Sequence, residues 1–284
     1  MPPLDRFRYD GFAIDPAIST VICNYSAADR TFTERFTFAE GGDWTDPAVV
    51  AATRILYLLA GVSYYKTTAA DLIDLGDIAT TPRERDFLRT YFIEGLGEFA
   101  YRNALDLHGL RVEGPDAPPA PAAVYEPEPG RPLIPFGGGI DSIVTVDAVV
   151  ADHPDATLFV VEPPGDSFTA IEDAAAVSGL PVTRVARAID PLVRRSAEFG
   201  FLNGHVPVTA IVTAAALVAA VLDRRDAVVL SNEWSASVPT LESDGHVVNH
   251  QWSKGETFER AFGDLVLSTL GPQIAVFSYL RPRS

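Results

Sequence analysis

The spacing of hydrophobic residues changes midway along the chain, after a stretch rich in proline. Before that stretch, residues 31–40 alternate apolar and polar side chains, which predicts strand structure. Residues 46–60 begin with Asp-Pro, an N-cap residue followed by proline at the first helical position. Residues 82–105 carry a stripe of aromatic and aliphatic side chains at helical spacing, expected to pack in the core rather than against a ligand. Residues 1–113 are therefore predicted to form a small α+β lobe.

The proline-rich stretch, residues 114–135, contains eight of the 22 prolines. Proline has no amide hydrogen and a fixed φ, so this stretch is predicted to form neither a helix nor an inner strand. Residues 114–131 are interpreted as a linker between two lobes. A long surface loop within one domain is the alternative.

After the linker, apolar strands alternate with helical segments. The predicted strands are 131–136, 157–162, 181–187 and 227–231, and the predicted helices are 140–151, 167–178 and 207–222. This alternation is typical of a parallel sheet with helices on both faces. Residues 132–284 are thus predicted to form an α/β domain with a ligand site at the carboxyl ends of its strands.

Composition narrows the class of protein. Lys and Arg number 22 against 38 Asp and Glu, a net charge of −16, which opposes binding to nucleic acid or to an anionic membrane. Cys23 is the only cysteine, so no internal disulfide forms, in keeping with the cytoplasm. The apolar run 208–222 is shorter than the roughly 20 residues of a membrane span. A soluble, cytoplasmic protein is expected, and its oligomeric state is left open.

The first strand of the second half leads into the glycine-rich segment Gly137-Gly138-Gly139-Ile140-Asp141-Ser142, at the start of a helix. Glycines let a phosphate group approach the backbone, and the helix start supplies free amides. No lysine follows in the position that a Walker-type P-loop requires. The segment is predicted to bind phosphate groups in another way.

Two nucleotide-binding interpretations remain for this segment. The first is the pyrophosphatase loop SGGxDS, with Gly137 in the serine position and Asp141 holding Mg²⁺ beside the phosphates. The second is a dinucleotide motif, with Gly137 and Gly139 as its first glycines and Glu162 as the acid that binds ribose. Ser142 in place of the third glycine counts against the second, and a purely structural turn is a third interpretation.

Three further segments follow predicted strands or open helices: NGHVPVTA (203–210), SNEWSAS (231–237) and VNHQWSKGETFE (248–259). Together with GGGIDS they resemble the ATP-dependent UDP-N-acetylmuramoyl-L-alanyl-L-glutamate epimerase family, within the ATP-pyrophosphatase (PP-loop) superfamily. The resemblance covers about residues 133–284 and is weaker before the linker. It implies an adenine nucleotide alpha hydrolase-like fold for the second half.

The resemblance also implies a reaction. ATP adenylates the α-carboxylate of the terminal L-glutamate, releasing pyrophosphate, and the Cα centre is then inverted before hydrolysis to the D-glutamyl product. Esterification removes the carboxylate charge, which makes the Cα proton a stronger acid. The protein would then be an isomerase of peptidoglycan precursor synthesis that uses ATP, Mg²⁺ and a UDP-linked muramoyl dipeptide.

The roles implied by the resemblance fall into two groups. Phosphates and Mg²⁺ would be bound by the loop, and adenine or ribose by the end of the second strand: Gly137, Gly138, Gly139, Asp141 and Ser142, with Glu162. Proton transfer and stabilisation of negative charge would fall to candidates in the other motifs: His250, Lys254, Glu233 and His205. An imidazole exchanges protons near neutral pH, which suits His250 as one base.

Three of these candidates, and the neighbouring Ser253 and Glu256, also have a structural interpretation. His250 is then a hydrogen-bonding loop residue, His205 a cap of the long helix, and Glu233 a surface acid. Ser253 and Glu256 have the spacing of a capping box, which explains both without catalysis.

Two features depart from the family. Ile140 stands where lysine is common, and family members continue beyond Ser284. Rival functions are a related adenylating enzyme acting on another carboxylic acid, of ligase or epimerase type, and a non-catalytic nucleotide-binding module.

Overall fold

The computed structural model describes residues 6–118, 120–239, 241–243 and 246–283. The strands within these ranges are β1 Phe7–Asp15, β2 Thr20–Ala27, β3 Arg30–Thr37, β4 Leu72–Asp74, β5 Arg111–Glu113, β6 Glu128–Pro135, β7 Thr157–Glu162, β8 Val182–Ala188, β9 Arg225–Leu230, β10 Leu241–Ser243, β11 His246–Val248 and β12 Ala275–Ser278. The helices are α1 Pro47–Ala60, α2 Val62–Tyr65, α3 Pro82–Gly95, α4 Gly97–Arg102, α5 Ile140–Val150, α6 Thr169–Ser178, α7 Pro191–Arg194, α8 Ser196–Phe199, α9 Val208–Leu222 and α10 Glu256–Leu270.

One ten-stranded sheet runs through the molecule in the order β12-β9-β6-β7-β8-β3-β2-β1-β4-β5. The five strands from β12 to β8 are parallel to one another, and β3, β2 and β1 continue the sheet in antiparallel pairs. The chain passes from β6 to β7 on one side and later places β9 on the other side. Such a reversal of strand order opens a crevice at the carboxyl ends of β6 and β9, where α/β proteins bind ligands. The predicted α/β class with a parallel sheet is confirmed.

Two apolar cores cover the two faces of the parallel strands. Leu133 and Val228 lie in the larger core, which also contains buried residues of α1, α9 and α10. Their neighbours Ile134 and Val229 face the smaller core, built with α5 and α6. Successive side chains of a strand point to opposite faces, so these nearly uninterrupted apolar strands require helices on both sides.

The first third of the chain extends the same sheet. The β3–β8 pairing sets Phe36 opposite Arg187, and α1 packs on α9 in the larger core. The aromatic stripe of α3 and α4 is buried there, as expected: Leu88, Tyr91, Phe92, Leu96 and Phe99. The division into a lobe at 1–113, a linker at 114–131 and a domain at 132–284 stays a prediction, but strands from both halves share one sheet.

One expectation about the proline-rich stretch is wrong. Residues 128–131 belong to β6, which lies between β7 and β9 as an inner strand. The amides of Gly130 and Arg131 donate to the two carboxylate oxygens of Asp226, at 2.6 and 3.1 Å, where the register with β9 is irregular. A side-chain carboxylate therefore replaces ladder bonds beside the prolines, which lets this strand occupy the centre of the sheet.

The N-terminal end of α1 forms as the sequence predicts. Asp46 caps the helix by accepting a hydrogen bond from the amide of Ala48 at 2.7 Å, and Pro47 is the first helical residue. Residues 47–65 are long and apolar enough to cross a membrane by length and composition, but 83% of that window is buried inside the protein. This segment is therefore read as a core helix, and the cytoplasmic location stays a prediction.

Candidate active site

The glycine-rich loop joins the carboxyl end of β6 to the start of α5. Gly138 has a left-handed φ of +70°, and a Cβ there would lie 3.2 Å from the Cα of Ile171, so both conformation and space favour glycine. Gly139 is the N-cap of α5 and supplies no side-chain cap. The first-turn amides of α5 thus have no side-chain acceptor at the cap, an arrangement that suits an anionic group.

The three residues after the glycines differ in exposure. Asp141 is exposed in the first turn of α5, whereas Ser142 is buried and its hydroxyl donates to the carbonyl of Gly139 at 2.8 Å. Ile140 is 76% exposed. Among the described residues, no group of three His, Cys, Asp or Glu side chains is placed to hold a metal. A single exposed carboxylate fits Mg²⁺ that arrives with phosphate ligands, because this ion commonly uses one or two carboxylates beside substrate oxygens.

Polar atoms without partners lie at the same edge of the sheet. Glu162 ends β7, and its buried Oε2 accepts no hydrogen bond from the described part of the protein. The guanidinium Nε of Arg184 lies 3.9 Å from this oxygen, and Arg184 is paired with Glu172 at 2.6 Å. The buried hydroxyl of Ser231, just after β9, likewise has no partner in the described ranges. Buried polar groups are normally satisfied, so these two atoms suit the polar part of a ligand.

The two C-terminal motifs form one hydrogen-bonded unit, here called the motif cluster (residues 231–237, 249–259 and 278–281). The side-chain amide of Asn249 donates to the carbonyl of Ala236 at 2.8 Å. The hydroxyl of Ser237 accepts from the amide of Glu256 at 3.1 Å. The two turns that carry Glu233 and Lys254 are therefore held in a fixed relation.

Arg281 is the centre of the motif cluster and is only 9% exposed. Its guanidinium donates to the carbonyls of Glu233 at 3.3 Å and Lys254 at 2.6 Å, and to the hydroxyl of Ser237 at 3.1 Å. It also pairs with the carboxylate of Glu259 at 3.0 Å. One planar donor group thus joins both turns to α10.

Three of the four predicted catalytic residues lie close together. The imidazole rings of His205 and His250 are 6.3 Å apart between centroids, at 76° to each other. Burial is the main cause that lowers the pKa of His205. The carboxylate of Glu98 and a backbone hydrogen bond with His250 oppose this shift, whereas the charges of His250 and Lys254 add to it. The fourth, Glu233, is on the neighbouring turn, where its carboxylate accepts from the hydroxyl of Ser235 at 3.1 Å.

Two structural interpretations from the sequence are wrong. The N-cap of α10 is Gly255, not Ser253, and Ser253 lies buried in the preceding turn 252–254, so there is no capping box. The N-cap of α9 is Pro207, with no side-chain hydrogen bond, so His205 does not cap that helix. The positions of Ser253 and His205 therefore need another explanation.

Sequence reasoning missed two site residues in the first half of the chain. The ammonium group of Lys66 donates to the side chain of Asn203 at 2.7 Å, two residues before His205. Glu98 of α4 is near enough to His205 to influence its pKa. The one available signal was that Lys66 is one of only two lysines; nothing in the local pattern relates Glu98 to a residue more than 100 positions away.

A separate groove of about 660 Å³ lies away from these residues. It is lined by the proline-rich segment and by α1, α3 and α10, and none of the predicted site residues borders it. The candidate site is therefore the edge of the sheet where the glycine loop, the end of β7, the 203–207 turn and the motif cluster are found.

Comparison with known proteins identifies the family of the chain. The model of the MurL N-terminal domain family matches residues 2–279. A UDP-N-acetyl-alpha-D-muramoyl-L-alanyl-L-glutamate epimerase of Salinispora tropica is 37% identical over 99% of this chain and 62% of its own length. Epimerases of the same name from Xanthomonas oryzae pv. oryzae and a Micromonospora species are 39% and 35% identical, over 87% and 99% of this chain.

The chain spans 54% to 64% of the length of these three relatives. The family match extends across both halves of the molecule, including the strands before the proline-rich stretch. The expected relationship is confirmed: the chain belongs to the MurL N-terminal domain family.

Proposed function

We propose that the protein is an ATP- and Mg²⁺-dependent epimerase that inverts the Cα of the terminal glutamate of UDP-N-acetylmuramoyl-L-Ala-L-Glu. The observation that carries this proposal is the placement of two imidazoles and a lysine beside the edge of the sheet that holds an uncapped glycine loop. The names of the relatives support the substrate. Proton exchange and carboxylate activation would then take place at the same edge.

In this proposal the glycine loop binds the phosphates of the nucleotide. The backbone of Gly138 and Gly139 and the first-turn amides of α5 would face the phosphates, and Asp141 would hold Mg²⁺, which neutralises phosphate charge. ATP supplies the activating group for the glutamate carboxylate. Glu162 and Ser231, each with a buried oxygen that has no partner in the described part of the chain, would hydrogen-bond the ribose or the base.

His205, His250 and Lys254 would carry out the proton transfer. One imidazole takes the Cα proton, and the electron pair of the broken C–H bond moves toward the carbonyl of the activated ester. A second group then gives a proton to the opposite face of Cα, which restores the carbonyl. His205 and His250 are the first candidates, because burial lowers the pKa of His205 and so favours the neutral imidazole that can accept a proton. The ammonium of Lys254 would stabilise the negative charge on the carbonyl oxygen, and Glu233 is the alternative second group.

Because the protein is strongly negative, its site needs local positive potential to bind two anionic substrates. At −16 overall, the protein repels both ATP and the UDP-linked peptide in the absence of local positive potential. The helix start of α5 and Lys254, with Mg²⁺ on Asp141, would provide it. Hydrolysis of the activated ester would finally give AMP and the D-glutamyl peptide.

The test is to incubate the protein with ATP, Mg²⁺ and UDP-N-acetylmuramoyl-L-Ala-L-Glu. AMP, pyrophosphate and the configuration of the glutamate are then measured together. Equal amounts of AMP, pyrophosphate and D-glutamyl product are expected. AMP formation without inversion would instead indicate an adenylating enzyme of ligase type.

A non-catalytic nucleotide-binding module is the second candidate. Ile140, 76% exposed at the phosphate-facing end of α5, favours it, because an apolar side chain offers a phosphate neither charge nor a hydrogen bond. ATP binding without turnover in the same experiment would select this candidate.

A further inference from the structure

The side chain of Lys66, at the end of α2, reaches the turn in front of α9. Its Nζ donates to Oδ1 of Asn203 at 2.7 Å and to the carbonyl of Gly204 at 3.4 Å. Gly204 directly precedes His205. Both acceptors therefore lie within two residues of an imidazole that the proposed reaction uses.

The same turn is attached to the first half of the chain at other points. The side-chain amide of Asn103 donates to the carbonyl of Asn203 at 3.3 Å. The amide of Leu202 donates to the carbonyl of Thr67, next to Lys66, at 3.2 Å. The position of His205 thus depends on residues that precede the proline-rich stretch.

Burying Lys66 is unfavourable if it serves stability alone. The residue is 9% exposed, and within the described ranges its ammonium forms no ion pair with a carboxylate. Burial, and secondarily the nearby Arg187, lowers its pKa. Arg187 itself is paired with the buried carboxylate of Glu34 at 2.5 Å, so that acid is already engaged. An apolar side chain of similar length would fill this space without the penalty of a buried charge.

We propose that Lys66 is a positioning residue that orients His205 by fixing the 203–204 turn, and that the first half of the chain thereby takes part in the active site. The inference rests on the proposed function, in which His205 exchanges the Cα proton. Lys66 does not touch the reacting atoms; it acts through Asn203 and Gly204.

The experiment compares Lys66→Met with Lys66→Arg and with a matched control, Arg225→Met. Arg225 is a buried cation, 5% exposed, at the amino end of β9, on the opposite edge of the sheet from the site, where it bonds Asp155 and Asp223. Two readouts are taken: solvent deuterium entering the glutamate Cα, and the NMR signals of the His205 imidazole in the protein without substrate.

Lys66→Met is expected to lower kcat for deuterium entry by about tenfold or more, because a small displacement of a catalytic group has large effects on rate. The KM for ATP should stay unchanged, the His205 signals should shift, and Lys66→Arg should recover part of the rate. Arg225→Met should leave both the rate and the His205 signals as in the unmodified protein.

Unshifted His205 signals in Lys66→Met would overturn the inference, whatever the rate. A loss of rate in Arg225→Met equal to that in Lys66→Met would overturn it as well. If the unmodified protein exchanges no Cα proton, the proposed function fails, and the NMR comparison still decides whether Lys66 orients His205.

Discussion

The glycine loop and the motif cluster lie at the same edge of the sheet but are built in opposite ways. In the loop, Asp141 is exposed, the cap of α5 lacks a side-chain bond, and Gly137 and Gly139 have open space where a Cβ would lie. In the motif cluster, polar groups bond mainly to one another, with Arg281 joining both turns. The loop therefore offers a carboxylate and backbone amides to a ligand, whereas many polar groups of the cluster are bonded to one another and stabilise its conformation.

The difference shows that a sequence motif can supply either direct contacts to a ligand or structural support for a turn. The loop residues offer direct contacts, as a phosphate site requires, while much of the SNEWSAS and NHQWSK motifs is explained by the mutual support of two turns. The candidates for chemistry among the described residues are His250, Lys254 and Glu233 of these motifs, together with His205 of the turn before α9. Removing the exposed carboxylate of the loop should therefore affect ligands with little loss of stability, whereas removing the guanidinium that joins the two turns of the cluster should mainly lower stability.

The largest effect on activity is expected from Asp141→Asn. Loss of the carboxylate that would hold Mg²⁺ should lower the rate of pyrophosphate release by about 1,000-fold, which corresponds to several kcal/mol. The free energy of unfolding should hardly change, because Asp141 is exposed.

Asp147→Asn is the control for this change, since Asp147 is an exposed acid further along the same helix. Its rate of pyrophosphate release should equal that of the unmodified protein. If Asp141→Asn keeps its activity, or if both variants lose it, the loop does not act through this carboxylate.

Arg281→Met tests the motif cluster. Removing one partner of the buried pair with Glu259 should lower the free energy of unfolding by about 3 kcal/mol, measured by urea denaturation. Arg260→Met is the control, because the Arg260–Glu256 pair on the same helix is exposed and should contribute less than about 1 kcal/mol. Equal stability of the two variants would show that the cluster is not held by Arg281.

Gly138→Ala tests the conformation of the loop. An L side chain in the left-handed region is strained by about 1 to 2 kcal/mol, and the Cβ would press on the backbone of α6. Thermal unfolding should show this loss, whereas Gly137→Ala, with nothing within 4 Å of the added Cβ, should change stability by less than about 0.5 kcal/mol. The glycine requirement is mistaken if the two variants unfold at the same temperature.

The smallest effect concerns pH. Because the pKa of His205 is lowered in the folded protein, the unfolded chain binds more protons between that lowered pKa and the ordinary value near 6.5. The contribution of His205 to stability is therefore complete above pH 6.5 and decreases as the pH falls through this window. His205→Asn should flatten that part of the stability profile, as measured by urea denaturation at a series of pH values; an unchanged profile would contradict the lowered pKa.

The sequence predicted the parallel half of the fold well. Its strands alternate with helices at short range along the chain, and β7 has the predicted bounds, residues 157–162. The inner strand at 128–131 was missed because its stability depends on Asp226, almost 100 residues away. Local pattern could not show that a carboxylate would replace the ladder bonds that proline cannot make.

The sequence predicted the contiguous part of the candidate site but not the contacts between segments that are distant in the chain. The glycine loop is a contiguous segment, so its residues could be named from the sequence alone. The contacts of Lys66 with Asn203, and of Arg281 with two separate turns, exist only after the sheet has brought distant segments together. Such contacts leave no local signal beyond the rarity of lysine in this chain.

The account is tested most directly by following pyrophosphate release and deuterium entry at the glutamate Cα in the same reaction. The protein in which both His205 and His250 are changed to Asn is compared with Asp141→Asn and with the unmodified chain. The double variant is expected to release pyrophosphate without deuterium entering Cα, while Asp141→Asn loses both. Undiminished deuterium entry in the double variant would contradict the division of labour between the loop and the histidines.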